Sequence, residues 1–430
     1  MVTPTGSRAR GNLAATFWGS VRAVRKVVLE SGADSIDRSR HSLQAILDGR
    51  YRSDQDQIFR APASSTMKFE FNREGWVHWP EREDLSLEFM RLLAAAQDGG
   101  STVSECWLTA SRIDVADDNS WYREWASTAE VNRERGAAAL AEGNLPTARN
   151  NWLRAITYYQ AAAHPFDLTE ENRQASIAAM RQCAANYLRH RETPGEIVAI
   201  PWTSEVTLQG YYLPARATAK PAPAVICIGE PGHHKEEYLF KMARHAFERG
   251  MSLLAVDMLG DRPDTSFETI IGSRKLESAI GCFMDYLSGR DDVDDSRIAI
   301  LADGWSSSFV ARGVAADQRF AAAVCDGGIW ESHERSFLMR RAAARGEILP
   351  CMGTSRIMRS IGCPLLITAG ERGWLQPERV AELVDRLKAG REDVTLKIFG
   401  SAETAATQGH ADNPTLANEF TFDWIAARLK

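Results

Sequence analysis

The sequence lacks the features that mark membrane proteins and nucleic-acid-binding proteins. No run reaches the roughly 18 apolar residues that a membrane-spanning helix needs, and the first ten residues lack the apolar core of a secretory signal. Lys and Arg (51) do not outnumber Asp and Glu (57), and the net charge of −6 indicates no basic surface. We therefore expect neither a membrane nor a nucleic acid among the partners.

Paired cysteines and cofactor motifs are missing as well. The seven cysteines are dispersed, with no C-x-x-C pair and no His/Cys spacing of the kind that binds zinc. An odd, scattered set is typical of reduced thiols, so we expect a cytoplasmic protein. No Walker loop and no G-x-G-x-x-G segment follows a predicted strand, and we predict that neither a metal nor a cofactor is bound.

The sequence has the composition of a globular protein, and its first part differs from the rest in predicted secondary structure. The 430 residues are 44% apolar and 25% charged, and they exceed the length of one ordinary domain. Residues 1–195 show helical periodicity, for example at 17–30 and 85–97, and almost no strand signal. Arg191-Glu-Thr-Pro-Gly195 then marks a boundary, because Pro-Gly interrupts regular structure. We predict an all-helical N-terminal lid domain over 1–195.

Residues 196–430 alternate between apolar strands and amphipathic helices. A hairpin is predicted over 196–202 and 206–214. The later strands are predicted at 224–229, 252–257, 297–302, 321–326, 364–370 and 394–399. This alternation predicts an α/β core with a doubly wound, mostly parallel sheet. Residues 329–361, rich in Arg and Met, interrupt the rhythm and are predicted to form a small helical cap insertion.

Tryptophan and tyrosine are concentrated in the helical part, and their role has two interpretations. They cluster between residues 121 and 159, and a loop-like stretch at 51–80 adds further aromatic residues. They can form the packing core of the helices, or they can line a lid over a large flat substrate. Both interpretations stay open, because aromatic rings provide both buried area and stacking surfaces.

The segment after the predicted strand at 297–302 has the form of a nucleophile elbow. A strand, a turn of small residues and a helix follow one another, and Gly304-Trp-Ser-Ser-Ser308 nearly matches G-x-S-x-G. Ligands of open α/β sheets bind at the carboxyl ends of the strands. The other strand ends carry Gly229, Asp326 and Glu371, and His410 lies in the last loop. Nucleophile, acid and base in this order are typical of α/β-hydrolases.

Several segments together resemble one branch of the α/β-hydrolase superfamily. They are Glu105-Cys-Trp-Leu-Thr109, Trp121 to Trp125, Ala148 to Tyr159, the loop from Gly229 to Lys235-Glu-Glu237, and Arg249-Gly-Met251. The branch contains FrsA-type proteins, the 2,6-dihydroxy-pseudo-oxynicotine hydrolase and fungal hydrolases that shorten polyketides. The resemblance covers residues 100–430 and implies an α/β-hydrolase fold with a helical N-terminal domain. It also implies chemistry at carbon–carbon bonds of aromatic or polyketide substrates, which some members perform.

The nucleophile position departs from the pattern of that branch. When Arg297 and Arg319 are aligned with the family without gaps, the nucleophile of Gly-x-Ser-x-Gly-Gly corresponds to Gly304, which has no side chain. The alternative nucleophile, Ser306, requires a two-residue insertion before the turn and a matching deletion in the helix. The catalytic triad is therefore predicted to be degenerate.

The acid position departs too, whereas the base position is kept. The family's acid corresponds to Gly373, and Glu371, two residues away, could orient a histidine only if its loop shifted. His410 corresponds to the family's base, and imidazole suits proton transfer near neutral pH. The predicted catalytic residues are His410 and, as its candidate partners, Ser306 and Glu371.

A glycine-containing loop is predicted to bind the oxyanion of the substrate. Its sequence, Gly229-Glu-Pro-Gly-His233, corresponds to the family's oxyanion loop, whose backbone N–H groups can stabilise an enolate. The full set of residues expected to bind substrate or oxyanion is Gly229, Glu230, His233, Gly304, Trp305 and Trp330.

A base and an oxyanion loop without a nucleophile suit enolate chemistry. An acyl-enzyme needs a covalent nucleophile, but deprotonation of an activated carbon does not. We expect an enzyme of secondary metabolism that forms or cleaves C–C bonds, or eliminates a group, on a bulky aromatic or polyketide-like small molecule. Two alternatives stay open: a serine hydrolase that uses Ser306 and His410 with a displaced acid, and a catalytically silent member that binds a ligand or a protein. Whether the chain forms a homodimer also stays open.

Overall fold

The first part of the described chain consists of helices. The computed structural model describes residues 78–164, 168–204, 206–216, 220–229, 234–257, 276–327, 360–373, 377–388 and 393–430. The first helices are α1 (Glu83–Ala94), α2 (Val103–Ala110), α3 (Asp118–Ala141), α4 (Leu145–Ala162) and α5 (Glu170–Arg189), and a 3₁₀ turn at Ala95–Asp98 follows α1. The predicted helix at 17–30 lies outside the described residues.

Side-chain caps begin three of these helices. The hydroxyl oxygen of Thr102 accepts a hydrogen bond from the backbone N–H of Glu105 and so caps α2. Asp117 caps α3 and Thr169 caps α5 in the same way. Because the first N–H groups of a helix have no partner within it, such caps typically contribute about 1 kcal/mol each.

An aromatic core holds the helices together. Trp121 and Trp125 of α3 and Tyr158 of α4 are completely buried. The rings of Trp125 and Tyr158 stack with their centroids 5.6 Å apart. The hydroxyl of Tyr158 donates to the carboxylate of Glu105 at 2.9 Å, so the polar end of this buried ring is satisfied. These three aromatic residues belong to the packing core of the helices. The aromatic residues before residue 78 lie outside the described chain.

The strands that the structure describes form one mixed sheet. They are β1 (Glu196–Pro201), β2 (Thr207–Leu213), β3 (Ala222–Ile228), β4 (Ser252–Val256), β5 (Val293–Ala302), β6 (Ala322–Asp326), β7 (Leu365–Gly370) and β8 (Val394–Phe399). Their spatial order is β1-β2-β4-β3-β5-β6-β7-β8. β2 pairs antiparallel with β1 and β4, and the remaining neighbours are parallel. The predicted hairpin and mostly parallel sheet are confirmed.

Helices cover both faces of this sheet. They are α6 (Tyr238–Lys241), α7 (Ala243–Glu248), α8 (Leu276–Ser288), α9 (Ser307–Ala316), α10 (Pro377–Lys388) and α11 (Pro414–Arg428). In β3, Val225 and Cys227 pack into a core shared with helices α1–α5, whereas Ile226 and Ile228 pack into a second core with α8 and α9. Because successive side chains of a strand point to opposite faces, a strand buried on both sides is apolar throughout.

The change from helices to strands falls between Arg189 and Glu196, where the sequence places its domain boundary. The helical part and the sheet nevertheless pack together in one compact unit, Asn72–Lys430. The predicted cap insertion at 329–361 lies almost entirely outside the described residues. No disulfide joins the six cysteines that the structure describes. In the described ranges, no helix has the length and hydropathy that would let it cross a membrane.

Two glycines in neighbouring helices test the packing of α8 against α9. A Cβ on Gly313 would lie well inside van der Waals contact with Ile280, and that contact is with the branched base of the side chain. A Cβ on Gly281 would meet only the carboxylate of Asp317, at 3.8 Å. We expect Gly313→Ala to lower the free energy of unfolding by about 1–3 kcal/mol, because α8 and α9 must separate.

The matched substitution Gly281→Ala should raise the free energy of unfolding by about 0.5–1 kcal/mol, since alanine reduces the freedom of the unfolded chain. Urea unfolding followed by circular dichroism measures both effects. Equal effects of the two substitutions would contradict the packing described for Gly313.

Candidate active site

The turn after β5 places a glycine where the sequence alignment places the nucleophile. β5 ends at Ala302, Asp303 follows, and Gly304 begins a short 3₁₀ turn that leads into α9. Gly304 has φ = 52°, a left-handed conformation that glycine adopts without steric cost. The elbow of the sheet is therefore present, but no side chain projects from its apex.

Two serines, Ser306 at the end of this turn and Ser307 at the start of α9, donate hydrogen bonds to backbone carbonyls near strand ends. The Ser306 hydroxyl donates to the carbonyl oxygen of Gly229 at 2.5 Å, and the Ser307 hydroxyl donates to the carbonyl oxygen of Asp326 at 2.8 Å. Their exposed fractions are 1% and 0%. The carbonyl of Gly229, and not His410, is therefore the partner of the Ser306 hydroxyl.

His410 pairs with an aspartate that the sequence analysis did not assign. Its Nε2 lies 2.7 Å from Oδ1 of Asp326, the last residue of β6, and its Nδ1 lies 2.6 Å from the carbonyl oxygen of Ala405. The hydroxyl of Thr368, on the neighbouring strand β7, donates to the same Oδ1 at 2.5 Å. His410 and Asp326 thus form a buried dyad that Thr368 supports.

The partners of His410 define its protonation state. A carbonyl oxygen and a carboxylate both accept hydrogen bonds, so the protonated ring, in which both nitrogens donate, suits both partners. Burial alone would lower the pKa of His410, but the carboxylate of Asp326 outweighs it and the pKa is raised. Burial would raise the pKa of Asp326, but His410 and the Thr368 hydroxyl outweigh it and the pKa is lowered. The directions of these two pKa shifts favour an ion pair between His410 and Asp326.

This geometry bears on the role expected for His410. A general base needs an available lone pair, and both ring nitrogens of His410 face oxygen atoms within hydrogen-bonding distance. The side chain of Asp326 is 16% exposed, against 3% for His410. A small cavity adjoins the dyad and is lined by Asp326, Gly327, Ala369, Gly370, Gly373, Gly409 and His410. The carboxylate is the more accessible basic group.

The loop that carries His410 is strained and held by a carboxylate. Thr404, Ala405 and His410 all have positive φ, between 54° and 70°, which costs non-glycine residues energy. The Asp412 carboxylate accepts hydrogen bonds from the backbone N–H groups of Ala406 and Thr407, at 3.1 and 3.0 Å. The conformation that directs the imidazole at Asp326 therefore depends on bonds within the loop.

Glu371 does not take the acid position. It is exposed, and its carboxylate accepts a hydrogen bond from the backbone N–H of Ser401 at 2.5 Å. The acid partner of His410 lies at the end of β6 instead of in the loop after β7. An aspartate that ends a buried central strand was the sequence signal for it, although several strand ends carry such polar residues.

A second buried ion pair lies beside the dyad. The ammonium group of Lys241 is 2.8 Å from the carboxylate of Asp303 and 3.5 Å from that of Glu237. It borders a cavity between the helical part and the sheet, which also touches Gly409. The residues lining this cavity are Glu88, Arg91, Leu92, Ala95, Asp98, Thr157, Gln160, Glu237, Phe240, Lys241, Gly409, Ala411 and Pro414.

The predicted binding residues are only partly described. Gly229 directly follows β3, and its carbonyl oxygen accepts a hydrogen bond from the Ser306 hydroxyl. The backbone of Trp305 lies in the turn after β5, but its side chain is outside the described set. Glu230, His233 and Trp330 lie outside it as well. The described ranges contain no group of three or more His, Cys, Asp or Glu side chains arranged to hold a metal ion.

The chain is similar in sequence to fungal enzymes. It is 28% identical over 254 residues to a hydrolyase, poxO, of Penicillium oxalicum, a match that covers 56% of this chain and 60% of that protein. It is 28% identical over 257 residues to 20-hydroxy-prefusarin hydrolase FUS2 of Gibberella moniliformis, with the same two coverages. The chain thus spans less than two thirds of these relatives, and no family model matches it.

Solved structures share the fold. The 2,6-dihydroxy-pseudo-oxynicotine hydrolase superposes with a TM-score of 0.62 at 16% identity, covering 78% of this chain and 95% of that one. The protein AbyA5 superposes with a TM-score of 0.56 at 15% identity, covering 81% and 99%. At these identities the likeness establishes the α/β-hydrolase fold and not a shared reaction.

The charge state of the dyad predicts how stability depends on pH. The raised pKa of His410 means that its contribution is complete below its unfolded value, about 6.5, and is lost as the pH rises through the folded pKa. The lowered pKa of Asp326 means that its contribution is complete above about 3.9 and is lost as the pH falls through the folded pKa. The stabilisation should therefore be greatest between about pH 4 and 6.5.

Urea unfolding at a series of pH values measures this dependence. We expect the stability difference between wild type and His410→Gln to shrink as the pH rises above that window. His190→Gln serves as the control, because the Nδ1 of His190 faces the carbonyl oxygen of Asn186 and not a carboxylate. A constant difference between wild type and His410→Gln at all pH values would refute the ion pair.

Proposed function

We propose that this chain, a member of the α/β-hydrolase superfamily, is an enzyme of secondary metabolism that works without a covalent nucleophile. Its reaction is base-promoted enolate chemistry on a bulky aromatic or polyketide-like substrate. The chemical step is C–C bond formation of the aldol or Michael type, C–C cleavage, or elimination. The observation that carries the proposal is the pairing of His410 with Asp326 beside an elbow whose apex is Gly304.

The surroundings of Ser306 argue against a serine hydrolase. An activated serine must give its proton to a base within hydrogen-bonding reach. The Ser306 hydroxyl instead donates to the carbonyl oxygen of Gly229, and the side chain is almost fully buried. A carbonyl oxygen cannot accept the proton permanently, so this arrangement gives no nucleophilic alkoxide.

Asp326 is the group that accepts a proton in this reaction. Carboxylates can remove protons adjacent to carbonyl groups when hydrogen-bond donors stabilise the resulting enolate. His410 keeps the carboxylate ionised and fixes its Oδ1, together with Thr368. The second carboxylate oxygen of Asp326 would take the proton from the substrate, and Asp326 lines a small cavity at the carboxyl edge of the sheet.

The weakness of this base indicates the kind of substrate. A carboxylate whose pKa is lowered removes protons efficiently only from relatively acidic positions, since proton transfer slows as the pKa gap widens. A C–H group between two carbonyl groups, or one conjugated to a phenol, has that acidity. Such positions are common in polyketide-like molecules. Among the sequence relatives, one is named a 20-hydroxy-prefusarin hydrolase and another a hydrolyase, and these names support an enzyme of secondary metabolism.

Deuterium exchange tests enolate formation without knowledge of the second reactant. An aromatic 1,3-diketone is incubated with the protein in D₂O, and mass spectrometry follows deuterium incorporation at the central carbon. We expect wild type to exceed the buffer rate, and Asp326→Asn and His410→Gln each to lose about 10²-fold or more of this increment. Ser306→Ala should retain it. Loss of exchange in folded Ser306→Ala would contradict the proposal, and buffer-level exchange by wild type would favour a silent binding protein.

A fluorophosphonate probe gives an independent test of the serine alternative. Only a serine activated by a base reacts with this reagent. We expect no labelling of wild type under conditions in which an authentic serine esterase is labelled completely. Tryptic mass spectrometry locates any adduct, and a phosphonylated Ser306 that disappears in His410→Gln would establish the hydrolase instead.

A further inference from the structure

Lys241 and Asp303 form an ion pair that is almost completely shielded from solvent. Their charged groups are 2.8 Å apart, and their side chains are 12% and 5% exposed. Burial of two charges is costly, and it is tolerated only when each charge is well compensated. The two charges are therefore held in fixed positions, and their electric field acts on the groups beside them.

Asp303 lies next to the dyad through the topology of the sheet. β5 and β6 are parallel neighbours in which Ala302 is paired with Cys325. Asp303 and Asp326, the next residue on each strand, are therefore neighbours at the same edge, about 5 Å apart in the strand-to-strand direction. A Cβ on Gly409 would lie 4.0 Å from Oδ1 of Asp303, so this carboxylate approaches the residue that precedes His410.

We propose that Lys241 and Asp303 are positioning residues for the proposed reaction: a second buried ion pair that keeps His410 protonated and Asp326 ionised. The role of this pair in the reaction rests on the proposed function. Its electrostatic effect on His410 and Asp326 does not. The two pairs are arranged so that each charge has its opposite nearby. The carboxylate of Asp303 lies near Gly409, the residue before His410, and Lys241 brings a positive charge to the same edge of the sheet.

The charged groups around the dyad support this arrangement. Burial and then Asp326 have the largest effects on the pKa of His410, and Asp303 adds to its rise. Burial and then His410 have the largest effects on the pKa of Asp326, and Lys241 adds to its fall. Other charged groups near His410 are Arg91 of α1, whose guanidinium would lie 3.8 Å from a Cβ on Gly409, and Asp412 within the loop itself. Removal of the Asp303 charge leaves the cations Lys241 and Arg91 and the carboxylate of Glu237 in place. The imidazolium loses its nearer anion and should be destabilised.

The chain offers a matched control in a second buried Lys–Asp pair. Lys235 and Asp257 are 2.7 Å apart, with side chains 3% and 11% exposed. Asp257 follows β4, and the sheet order places β3 and β5 between β4 and β6. The control pair therefore has similar geometry and burial, but it is at least two strands farther from the dyad.

The experiment is an NMR titration of the full-length protein labelled with ¹⁵N-histidine. His410→Gln identifies the imidazole signals of His410. We expect Asp303→Asn to increase the acid ionisation constant of His410 about threefold or more, because a nearby anion is lost. Asp257→Asn should leave that constant unchanged. An unchanged constant in Asp303→Asn, or equal changes in both variants, would overturn the proposal.

If Asp303→Asn does not fold, two double variants allow the same measurement of the His410 titration. Lys241→Met/Asp303→Asn removes both charges, and Lys235→Met/Asp257→Asn does the same for the control pair. The first should shift the His410 titration in the same direction by a smaller amount, and the second should not shift it. Equal shifts would again overturn the coupling. The titration needs no turnover. If Asp303→Asn shifts the His410 titration but wild type catalyses no deuterium exchange, the proposed function is wrong and the electrostatic coupling still holds.

Discussion

The hydrogen bond between the Nε2 of His410 and the Oδ1 of Asp326 is the interaction on which the site depends. It joins the last loop of the chain to the end of a central strand and places two opposite charges where water is largely excluded. Loss of one partner would leave the other charge buried and uncompensated, which typically costs about 3–5 kcal/mol. The same bond keeps the carboxylate ionised and turned toward a cavity. Stability and the proposed chemistry therefore depend on one contact.

The backbone of the His410 loop explains how that contact is maintained. Three non-glycine residues with positive φ occur within residues 404–410, an arrangement that persists only where the surroundings enforce it. Asp412 holds the loop from within, and the carbonyl oxygen of Ala406 accepts a hydrogen bond from the backbone N–H of Arg372 at 2.7 Å. Gly370 allows this approach, since a Cβ there would overlap Ala406. The strain is thus distributed over bonds to the neighbouring strand end.

The sequence was sufficient for the sheet. The buried part of β5 and the strand β6 are covered on both faces, so they appear in the sequence as continuous apolar runs. For the turn after β5, the sequence left Gly304 and Ser306 as alternative nucleophile positions, and the structure places Gly304 in the left-handed conformation at the start of the turn. The acid partner of His410 could not be found in the same way. Glu371 is close to the expected position along the chain, but its carboxylate bonds to the backbone of Ser401. Which strand end meets the histidine depends on the path of the 404–410 loop, and that path is set by tertiary contacts that periodicity does not encode.

The serines after Gly304 show what an elbow does when its apex carries no hydroxyl. Ser306 joins this turn to the end of β3, and Ser307 joins it to the end of β6. The second of these bonds is made to the carbonyl oxygen of Asp326, so the backbone of the proposed base is fixed by the turn that would otherwise present a nucleophile. Three strand ends are thereby held in register around the dyad. In the proposed reaction, the elbow supports acid–base chemistry by holding the carboxylate in place, and it contributes no atom to a covalent intermediate.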